Sequence, residues 1–466
     1  MEWIARFPTR ILKYALCFTC GLLLHPVVFM DLTGCNEFTL PKFPSIGIVR
    51  TVENKDNIGI NIYGWFGGQF SIGIVAQKYF YSARNADLPV NAIGTNFLPE
   101  TLSFVAPSSL DIQTTRSMSE NFNLVVMNAD TTQIFLDEVP QEVRDQKYNI
   151  GVWFWELSIF PENWMHFVKA YDEIWVASNF VKNSIENSKL YDGTIVKILP
   201  IPEDTHNNHT SSTVEKNDLN SRLPQILKSN LRDKAGEKPF VFLVVFDFKS
   251  FVERKNPAAS IRAFVEAFPL SEDPHGKKYQ LIIKSHSGTE EQVNELRGLA
   301  KNDPRVVFIS SLISPEENIA MHQYQDCYVS LHRSEGYGMN ILESMASGIP
   351  VIATNYSGNA DFFAEMPDLT NKCAFPVKYK LIELKETFGP YVKGNFWADA
   401  DHESAVRAMR RAVKYDCKKS KFSKTMIEEV DSHYGYKAIG KKMKSLLVEA
   451  LPRMKEKIQK KRKQEN

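Results

Sequence analysis

The sequence predicts an α/β protein with two doubly wound domains that face each other across a cleft. Short apolar runs alternate with helical patterns almost throughout the chain, which is typical of βα units and parallel sheets. A polar segment from about 203 to 238 separates two such series. The 466 residues, of which 43% are hydrophobic and 24% charged, provide enough chain for roughly two to three domains with apolar cores.

Each series contains apolar runs that predict strands. The first series has them at 58–64, 88–94, 123–128, 149–154, 173–178 and 194–200, with helical patterns at 72–84 and 178–188. The second series has them at 240–247, 280–284, 305–309, 327–332, 350–354 and 373–377, with helical patterns near 256–268, 290–300, 315–325 and 339–347. The halves share this rhythm without a close sequence repeat, so we expect two sheets of similar construction.

The composition shifts divide the chain into five segments. Residues 46–202 and 238–433 are expected to form the two α/β domains, and 203–237 a linker or surface loop. Residues 1–45 are an apolar and basic N-terminal segment, and 434–466 a C-terminal helix followed by a basic tail.

The N-terminal segment has a basic head and a short apolar run. Three basic residues within the first 13 positions precede the run 14–24, which is shorter than the roughly 20 residues that a spanning helix needs. Pro26 then interrupts the apolar stretch. The pattern resembles a signal or a single membrane anchor. The alternative is an apolar helix on the domain or on a membrane surface, which fits a cytoplasmic protein that is peripheral at the inner membrane.

The C-terminal tail is strongly basic. A helical pattern near 434–450 continues into residues 452–466, which contain seven Lys or Arg residues and two Glu residues. Either this tail is a solvated, frayed helix end, or its charges contact an anionic membrane surface.

The charge balance and the cysteines exclude other classes. A formal net charge of +1 provides no basic coat for nucleic acid, so no nucleic-acid partner is expected. Six cysteines in so long a chain give no disulfide framework, and Cys17 and Cys20 lack a second pair at zinc-site spacing. We expect reduced, buried thiols, as in cytosolic proteins.

The segment from His332 to Phe363 concentrates the functional signal. A predicted strand ends before Glu335, a turn with Gly336 and Gly338 follows, and the next residues have helical period. Such a turn lies at the carboxyl end of a parallel strand, where open α/β sheets bind ligands. Glycines let a ligand approach the backbone, and the helix presents free N–H groups with a partial positive charge, which suits a diphosphate.

Glu335 and Glu343 flank this turn and need a partner other than phosphate. A carboxylate about 4 Å from a phosphate charge is repelled by about 4 kcal/mol at an effective dielectric constant near 20. An ionised carboxylate instead accepts two hydrogen bonds from a vicinal diol. A nucleoside diphosphate sugar has diols in both its sugar and its ribose, so each glutamate is a candidate to bind one end.

Cations for a diphosphate follow the ends of other predicted strands. Lys249, Arg254 and Lys255 come after the first strand of the second series, and Lys284 ends the next one. The carboxyl ends of parallel strands share one rim of a sheet, so we expect these side chains to reach the site. For any single cation the alternative is an ordinary surface residue.

Five segments carry a resemblance to a known family. Residues 334–363 resemble the donor-binding segment of the family-four retaining GT-B glycosyltransferases, whose E-x7-E spacing is met by Glu335 and Glu343. Four further segments resemble the bacterial polysaccharide branch of that family: 152–164, 172–181, 251–264 and 397–411. The similarity covers roughly residues 58–415. It implies the GT-B fold, with two Rossmann-like domains and the donor mainly on the second.

The resemblance also implies roles for individual residues. Glu335 would contact the hydroxyl groups of the transferred sugar, Glu343 those of the ribose, and Lys255 would neutralise the diphosphate. The backbone of the turn and of the first helical residues would form the rest of the donor site: Gly336, Tyr337, Gly338, Met339 and Asn340.

The second cation of the diphosphate clamp stays open. Lys249 stands where the wider family more often has arginine, so Arg254, Lys249 and Lys284 are all candidates. We take Glu335, Lys255 and Arg254 as the candidate catalytic residues.

The first domain offers candidates for its side of the cleft. Gly67 and Gly68 join a strand to a helix, and in such enzymes this loop approaches the diphosphate or the acceptor; a plain tight turn is the alternative. Trp155 and Glu156 follow one strand end and Asn128 another, and they suit an acceptor sugar. A buried core tryptophan is the alternative for Trp155.

The expected reaction is hexose transfer from a nucleoside diphosphate sugar to a glycan or lipid-linked glycan, with retention of configuration, in surface polysaccharide or lipopolysaccharide synthesis. The helix end and the lysines stabilise the leaving diphosphate, so no metal and no cofactor beyond the donor is expected. The "DAD" at 399–401 indicates a helix start and not a metal site. Alternatives are an inverting GT-B transferase, another enzyme that processes nucleoside diphosphate sugars, and a non-catalytic sugar-binding subunit.

Overall fold

The computed structural model describes residues 58–68, 70–95, 111–205, 238–276, 278–311, 313–415 and 417–465. The predictions for residues 1–45, for Cys17 and Cys20 and for most of the linker 203–237 lie outside the described residues. Within them, all the apolar runs singled out in the sequence form strands of two parallel sheets. The expected α/β class with two Rossmann-like domains is therefore confirmed.

The first domain is a seven-stranded parallel sheet in the order β3-β2-β1-β4-β5-β6-β7. Its strands are β1 (Ile60–Gly64), β2 (Val90–Gly94), β3 (Ile112–Gln113), β4 (Phe122–Val126), β5 (Tyr148–Trp153), β6 (Glu173–Val176) and β7 (Ile195–Ile198). β1, β4 and β5 are buried along their whole length, which accounts for their nearly continuous apolar sequence. The strand order reverses between β1 and β4, and this reversal leaves a crevice at the carboxyl ends of the strands.

The second domain is a six-stranded parallel sheet in the order β10-β9-β8-β11-β12-β13. Its strands are β8 (Phe240–Asp247), β9 (Tyr279–His286), β10 (Val306–Ile309), β11 (Cys327–Ser330), β12 (Val351–Thr354) and β13 (Ala374–Val377). Here the order reverses between β8 and β11. The segments that follow these two strands therefore meet at the crevice, and they carry three of the four predicted cations and the first glutamate of the site.

Helices alternate with these strands. In the first domain they are α1 (Ser71–Asn85), α2 (Thr132–Glu138), α3 (Gln141–Asp145) and α4 (Asn179–Glu186). In the second they are α5 (Val252–Lys255), α6 (Pro257–Ala267), α7 (Glu290–Leu299), α8 (Pro315–Tyr324), α9 (Met339–Ala346), α10 (Ala360–Glu365) and α11 (His402–Tyr415). The C-terminal pair is α12 (Lys421–Tyr434) and α13 (Tyr436–Glu465). Asp401 accepts a hydrogen bond from the Ser404 amide at 2.8 Å, as the predicted helix start at 399–401 requires.

An antiparallel hairpin follows β13 and was not predicted. β14 (Tyr379–Glu383) pairs with β15 (Phe396–Ala400). Most side chains of β14 are exposed, so its sequence lacks the continuous apolar run that marks the buried strands. The strand is held by pairing with β15 and not by burial.

The cysteines depart from the expectation of reduced thiols. Cys373 and Cys417 form a disulfide with their α-carbons 5.5 Å apart, whereas Cys327 is a buried free thiol. The two partners are 44 positions apart in the sequence, and only the fold brings the start of β13 next to the segment before α12. Spacing alone could not reveal this pair.

The C-terminal helix crosses back to the first domain and is longer than predicted. α13 does not end near 450 but continues through Pro452 to Glu465. It lies against α1 at Gly440, where an added Cβ would collide with the Ser82 carbonyl, so glycine permits the close approach.

Three basic side chains along α13 pair with acidic residues at the amino ends of the first domain's strands. Arg453 lies 2.5 Å from Glu173, Lys457 2.7 Å from Asp172 and Lys461 2.9 Å from Asp145. Glu173 is 1% exposed and also accepts hydrogen bonds from Tyr148 and Trp175. This part of the basic tail is therefore not a frayed end; it fixes the helix to the first domain.

We expect Arg453→Met to lower the free energy of unfolding by about 2 kcal/mol, because it leaves the buried Glu173 carboxylate without its cation while Tyr148 and Trp175 remain. Urea denaturation of both proteins measures the difference. Lys460→Met is the matched control on the same helix, since the partner of Lys460, Glu456, is exposed, and it should leave the unfolding free energy unchanged. Equal stability of the wild type and the Arg453 variant would contradict the role given to this pair.

Candidate active site

A glycine turn after β11 directs the start of α9 into the crevice of the second sheet. Gly338 precedes the helix with a φ of 94°, in the left-handed region that favours glycine. An added Cβ would also lie 3.1 Å from the Asn359 Cβ. The predicted order of strand, turn and helix is thus confirmed, and the first N–H groups of α9 have no partner within the helix.

Gly336 lies where the two domains touch. Its carbonyl accepts a hydrogen bond from the Ser178 hydroxyl at 2.7 Å, and an added Cβ would lie only 2.7 Å from the Trp155 carbonyl. The next residue, Tyr337, is buried and donates its hydroxyl to the Ile201 carbonyl at 2.7 Å. Gly336 and Tyr337 therefore hold the turn against the first domain, which is a structural role beside the donor-binding role that the family resemblance implies.

The cations after β8 are held by a strained turn. Phe251 and Asn256 flank α5 with φ values of 63° and 50°, which non-glycine residues rarely adopt. The Asn256 side chain donates to the Leu331 carbonyl at 3.0 Å, and the Arg333 amide donates to the Arg254 carbonyl at 2.7 Å. These bonds tie the turn to the segment after β11 and fix the distance between the two.

The fixed turn brings together the three candidate catalytic residues. The Lys255 Nζ lies 2.5 Å from Oε1 of Glu335, and Nη1 of Arg254 lies 3.4 Å from its Oε2. Arg254 also donates to the carbonyls of Ser334 and Ser250. Because the Arg254 side chain is only 5% exposed, its charge depends on these partners.

Burial and opposite charges act against each other on the pKa values of the cluster. Burial alone would raise the pKa of Glu335, but Lys255 and Arg254 outweigh it and lower the pKa to about 2. Burial lowers the pKa of Lys255, an effect that the Glu335 carboxylate opposes. Burial also acts against the charge of Arg254, yet its anionic neighbours raise its pKa above the usual value. Glu335 thus stabilises both cations and is stabilised by them, whereas Arg254 itself lowers the pKa of Lys255.

Glu343 lies in a separate environment on α9. Its charge acts on two groups outside the Glu335 cluster, Glu203 and His322. Glu203 is 5% exposed and pairs with Lys78 of α1 at 2.5 Å; burial raises the pKa of Glu203, and Glu343 raises it further. Tyr328 is acted on by both carboxylates, so the surroundings of the two glutamates differ but meet at this residue.

Lys249 and Lys284 have hydrogen-bond partners outside the cluster. The Lys249 side chain is exposed, and its amide donates to Asp247 at 2.9 Å. Lys284 is 7% exposed and donates to the carbonyls of Ser285 and Ser311 at 2.8 and 3.0 Å. Burial lowers its pKa. Of the three candidates for the second cation, only Arg254 touches Glu335.

On the first domain, Gly67 and Gly68 form the turn between β1 and α1. The Gly68 amide donates to the Trp65 carbonyl at 2.9 Å, and its own carbonyl leaves no room for a Cβ on Gly73. Asn128 accepts a hydrogen bond from the Phe154 amide at 3.0 Å. Asn128 therefore fixes the backbone after β5, next to the other two acceptor candidates.

Trp155 and Glu156 differ in exposure. Trp155 is 2% exposed, donates to the Ile159 carbonyl and packs against Phe160 and Trp164, so its ring fits the alternative of a core tryptophan. Glu156 is half-buried, and its charge acts on Arg254. Of these two, Glu156 keeps its functional group directed toward the cluster.

Two further residues, Asp130 and Tyr391, lie at the site. Asp130 lies after β4, where burial and the charge of Glu156 raise its pKa to about 6. Tyr391, in the loop of the β14–β15 hairpin, donates its hydroxyl to Glu156 at 3.1 Å. Asp130 stands two positions after the candidate Asn128 in the same segment, but the loop around Tyr391 has no motif that could have identified it.

We expect Glu335→Gln to lower the free energy of unfolding by about 3 kcal/mol at neutral pH, because Lys255 and Arg254 lose their anion. The carboxyl pKa falls on folding from 4.5 to about 2, so its contribution is complete above 4.5 and disappears as the pH falls toward 2. The stability difference between the two proteins should shrink over this range in urea titrations. An equal difference at pH 7 and pH 3 would contradict the cluster.

Comparisons with known proteins match the segment that contains the site. Residues 237–368, which include Arg254, Lys255, Glu335 and Glu343, match the family model for glycosyl transferases group 1. A stretch of 130 residues is 32% identical to an alpha-monoglucosyldiacylglycerol synthase of Streptococcus pneumoniae and covers 27% of this chain and 26% of that protein. The match thus spans about a quarter of the relative's length.

Solved structures share the architecture. A glycosyltransferase from Rickettsia africae superposes with a TM-score of 0.57 at 11% identity over 85% of this chain and 99% of that one. A sucrose-phosphate synthase from Thermosynechococcus elongatus superposes with a TM-score of 0.53 at 14% identity, over 84% of this chain and 99% of that one. WaaG, a glycosyltransferase involved in lipopolysaccharide biosynthesis, superposes with a TM-score of 0.51 at 13% identity, over 83% of this chain and 99% of that one. At these identities the likeness concerns the fold. The chain therefore has a GT-B fold, and the segment that carries Lys255, Glu335 and Glu343 is similar to glycosyl transferases group 1.

Proposed function

We propose that the protein transfers a hexose from a nucleoside diphosphate sugar to a hydroxyl group of a glycan or glycolipid, with retention of the anomeric configuration. The observation that carries this proposal is the ion-pair cluster of Lys255, Arg254 and Glu335 just before the start of α9, within the segment that matches the group 1 family model. It combines cations for a diphosphate with a carboxylate for sugar hydroxyls, next to a helix N-terminus.

Donor binding would exchange partners within the cluster. The diphosphate would lie on the amides of Gly338, Met339 and Asn340 and attract the Lys255 ammonium. The hydroxyl groups of the sugar would then donate to Glu335 in place of that lysine, and Arg254 would keep the carboxylate ionised. Glu343, in its separate environment further along α9, would accept hydrogen bonds from the ribose. Each charge would thus have a partner both before and after binding.

The reaction would break the bond between the anomeric carbon and the diphosphate oxygen and form one to the acceptor oxygen on the same face. The acceptor proton would pass to the departing phosphate, so no protein nucleophile is needed. The transition state would resemble an oxocarbenium ion. The α9 amides and Lys255 would stabilise the charge that grows on the leaving phosphate, a task that requires no metal ion.

The named relatives favour a surface glycan or lipid acceptor. The Streptococcus pneumoniae relative is named for the synthesis of a glucosyl diacylglycerol, and WaaG for lipopolysaccharide biosynthesis. We infer an acceptor of this type here, a glycolipid or a lipid-linked polysaccharide. The intact cluster speaks against a purely sugar-binding subunit, and the anomeric configuration of the product separates a retaining enzyme from an inverting one.

Glu335→Gln and Lys255→Met should each reduce transfer by about 100-fold or more, because each removes a group that stabilises the donor sugar or the leaving phosphate. Mass spectrometry of the product from a panel of nucleotide sugars measures the rate. Arg407→Met, an exposed cation of the same domain, is the control that should retain full activity. Addition of EDTA should not change the rate.

Unchanged turnover in both cluster variants would refute the site. Loss of transfer in EDTA, restored by a divalent cation, would refute the proposal that the reaction is independent of metal. Circular dichroism of each variant would distinguish lost chemistry from lost folding.

A peripheral position at an anionic membrane would bring the cleft to a lipid-linked acceptor. Within the described part of the chain, no helix combines the length and apolar character needed to cross a bilayer. Near its end α13 keeps exposed lysines, Lys455 and Lys463, beyond those paired with the first domain. We propose that these charges contact acidic headgroups on the cytoplasmic face of the inner membrane.

Sedimentation with vesicles tests this contact. The protein should pellet with vesicles that contain acidic lipid and not with neutral ones, and the double charge reversal Lys455→Glu and Lys463→Glu should weaken pelleting by about tenfold at low salt. Equal binding of the variant would exclude this end of α13 as the contact surface.

A further inference from the structure

The hairpin after β13 places its tip at the cluster. Phe388 and Tyr391 close a tight turn through two backbone hydrogen bonds of 2.9 and 3.0 Å. Gly389 lies inside this turn with a φ of 55°, and an added Cβ would be 2.6 Å from the Phe251 ring. Glycine therefore allows the tip to contact the strained turn that carries Arg254 and Lys255.

The hairpin is anchored to the same segment that carries Glu335. The Ala398 amide of β15 donates to the Arg333 carbonyl at 2.9 Å, and the Arg333 guanidinium lies over the Trp397 ring at 5.5 Å. Trp397 in turn stacks on Phe388 of the tip. Both ends of the insert are thus held with respect to the cluster, so the position of its tip is fixed by the fold.

Tyr391 occupies the space between the domains. Its side chain is 4% exposed, and its ring lies 5.5 Å from Trp155, 4.9 Å from Phe251 and 5.9 Å from the Arg254 guanidinium carbon. Its hydroxyl donates to Oε2 of Glu156 at 3.1 Å. A single side chain therefore touches the candidate acceptor residue of the first domain and the buried cation of the second.

The hydroxyl is a fixed donor. Burial raises the pKa of Tyr391, and the charge of Glu156 raises it further, so the phenol stays protonated. In the described part of the chain, no hydrogen-bond donor reaches Oε1, the other carboxylate oxygen of Glu156. This oxygen is free to accept a hydroxyl group of a ligand, and the nearby Asp130 adds a second acceptor.

We propose that Tyr391 is a positioning residue of the acceptor subsite: it holds the Glu156 carboxylate toward the cleft for the hydroxyl groups of an uncharged acceptor sugar. This inference rests on the proposed transferase function. Two carboxylates on this side of the cleft would bind hydroxyl donors and repel a phosphate or uronate at the reacting ring. The ring of Tyr391 serves a second purpose, because it covers Arg254 and excludes water from the buried charge.

A packing role and a positioning role of Tyr391 predict different effects of its substitution. If Tyr391 only filled space, Tyr391→Phe would keep the packing against Trp155 and Phe251 and change little. If it positions Glu156, loss of one oxygen atom should release the carboxylate and weaken acceptor binding while donor binding stays the same. The acceptor KM therefore separates the two roles.

A double-mutant cycle with Glu156→Gln provides the test. We expect Tyr391→Phe to raise the acceptor KM by about tenfold with little change in donor KM, since a hydrogen bond to a charged group is lost. In the Glu156→Gln background the same change should add almost nothing, because the two residues act as one unit. Tyr379→Phe, the same chemical change at the exposed base of the hairpin, is the control and should match the wild type.

The outcomes separate this inference from the proposed function. If the wild type catalyses transfer but the two substitutions have additive effects, the role of Tyr391 is overturned and the proposed function stands. The same holds if Tyr391→Phe leaves the acceptor KM unchanged. Absence of transfer from every nucleotide sugar would overturn the proposed function. In that case the melting temperatures of the two single variants and the double variant would be compared. Additive shifts for Tyr391→Phe and Glu156→Gln would overturn the pairing of these two residues.

Discussion

The pairing of the Glu335 carboxylate with both Lys255 and Arg254 is the constraint on which the rest of the structure depends. Arg254 is buried, and its charge persists only when it is paired and hydrogen-bonded, so the backbone must hold two segments from different strand ends at a fixed distance. The strained turn that starts at Phe251 and the glycine turn at Gly338 serve that purpose. Strain of this kind survives only where the surroundings enforce it.

The site belongs to both domains, although Lys255, Arg254 and Glu335 come from the second. In the first domain, Ser178 donates a hydrogen bond to Gly336 and Ile201 accepts one from Tyr337. These two bonds fix the loop that carries Glu335. At the amino ends of the first sheet's strands, the ion pairs along α13 connect the C-terminal helix to the first domain. Glu173 is the most buried residue of these pairs. A change in either contact would alter the cleft without touching a reacting group.

The sequence was informative where the signal is local. The strands were predictable because buried parallel strands are apolar along their length, and Glu335 and Lys255 because they follow strand ends at a switch point. Tyr391 and the Cys373 disulfide were not, because their partners come from distant parts of the chain and no spacing encodes the contact. The exposed β14 was not predicted, because its sequence lacks the apolar run that marks the buried strands.

A crystal structure with a bound nucleoside diphosphate would test the central claim most directly. The account predicts a pyrophosphate within hydrogen-bond distance of the Met339 and Asn340 amides, with the Lys255 ammonium moved from Glu335 to a phosphate oxygen. A nucleotide bound elsewhere, with Lys255 still paired to Glu335 and the start of α9 covered by protein side chains, would contradict it.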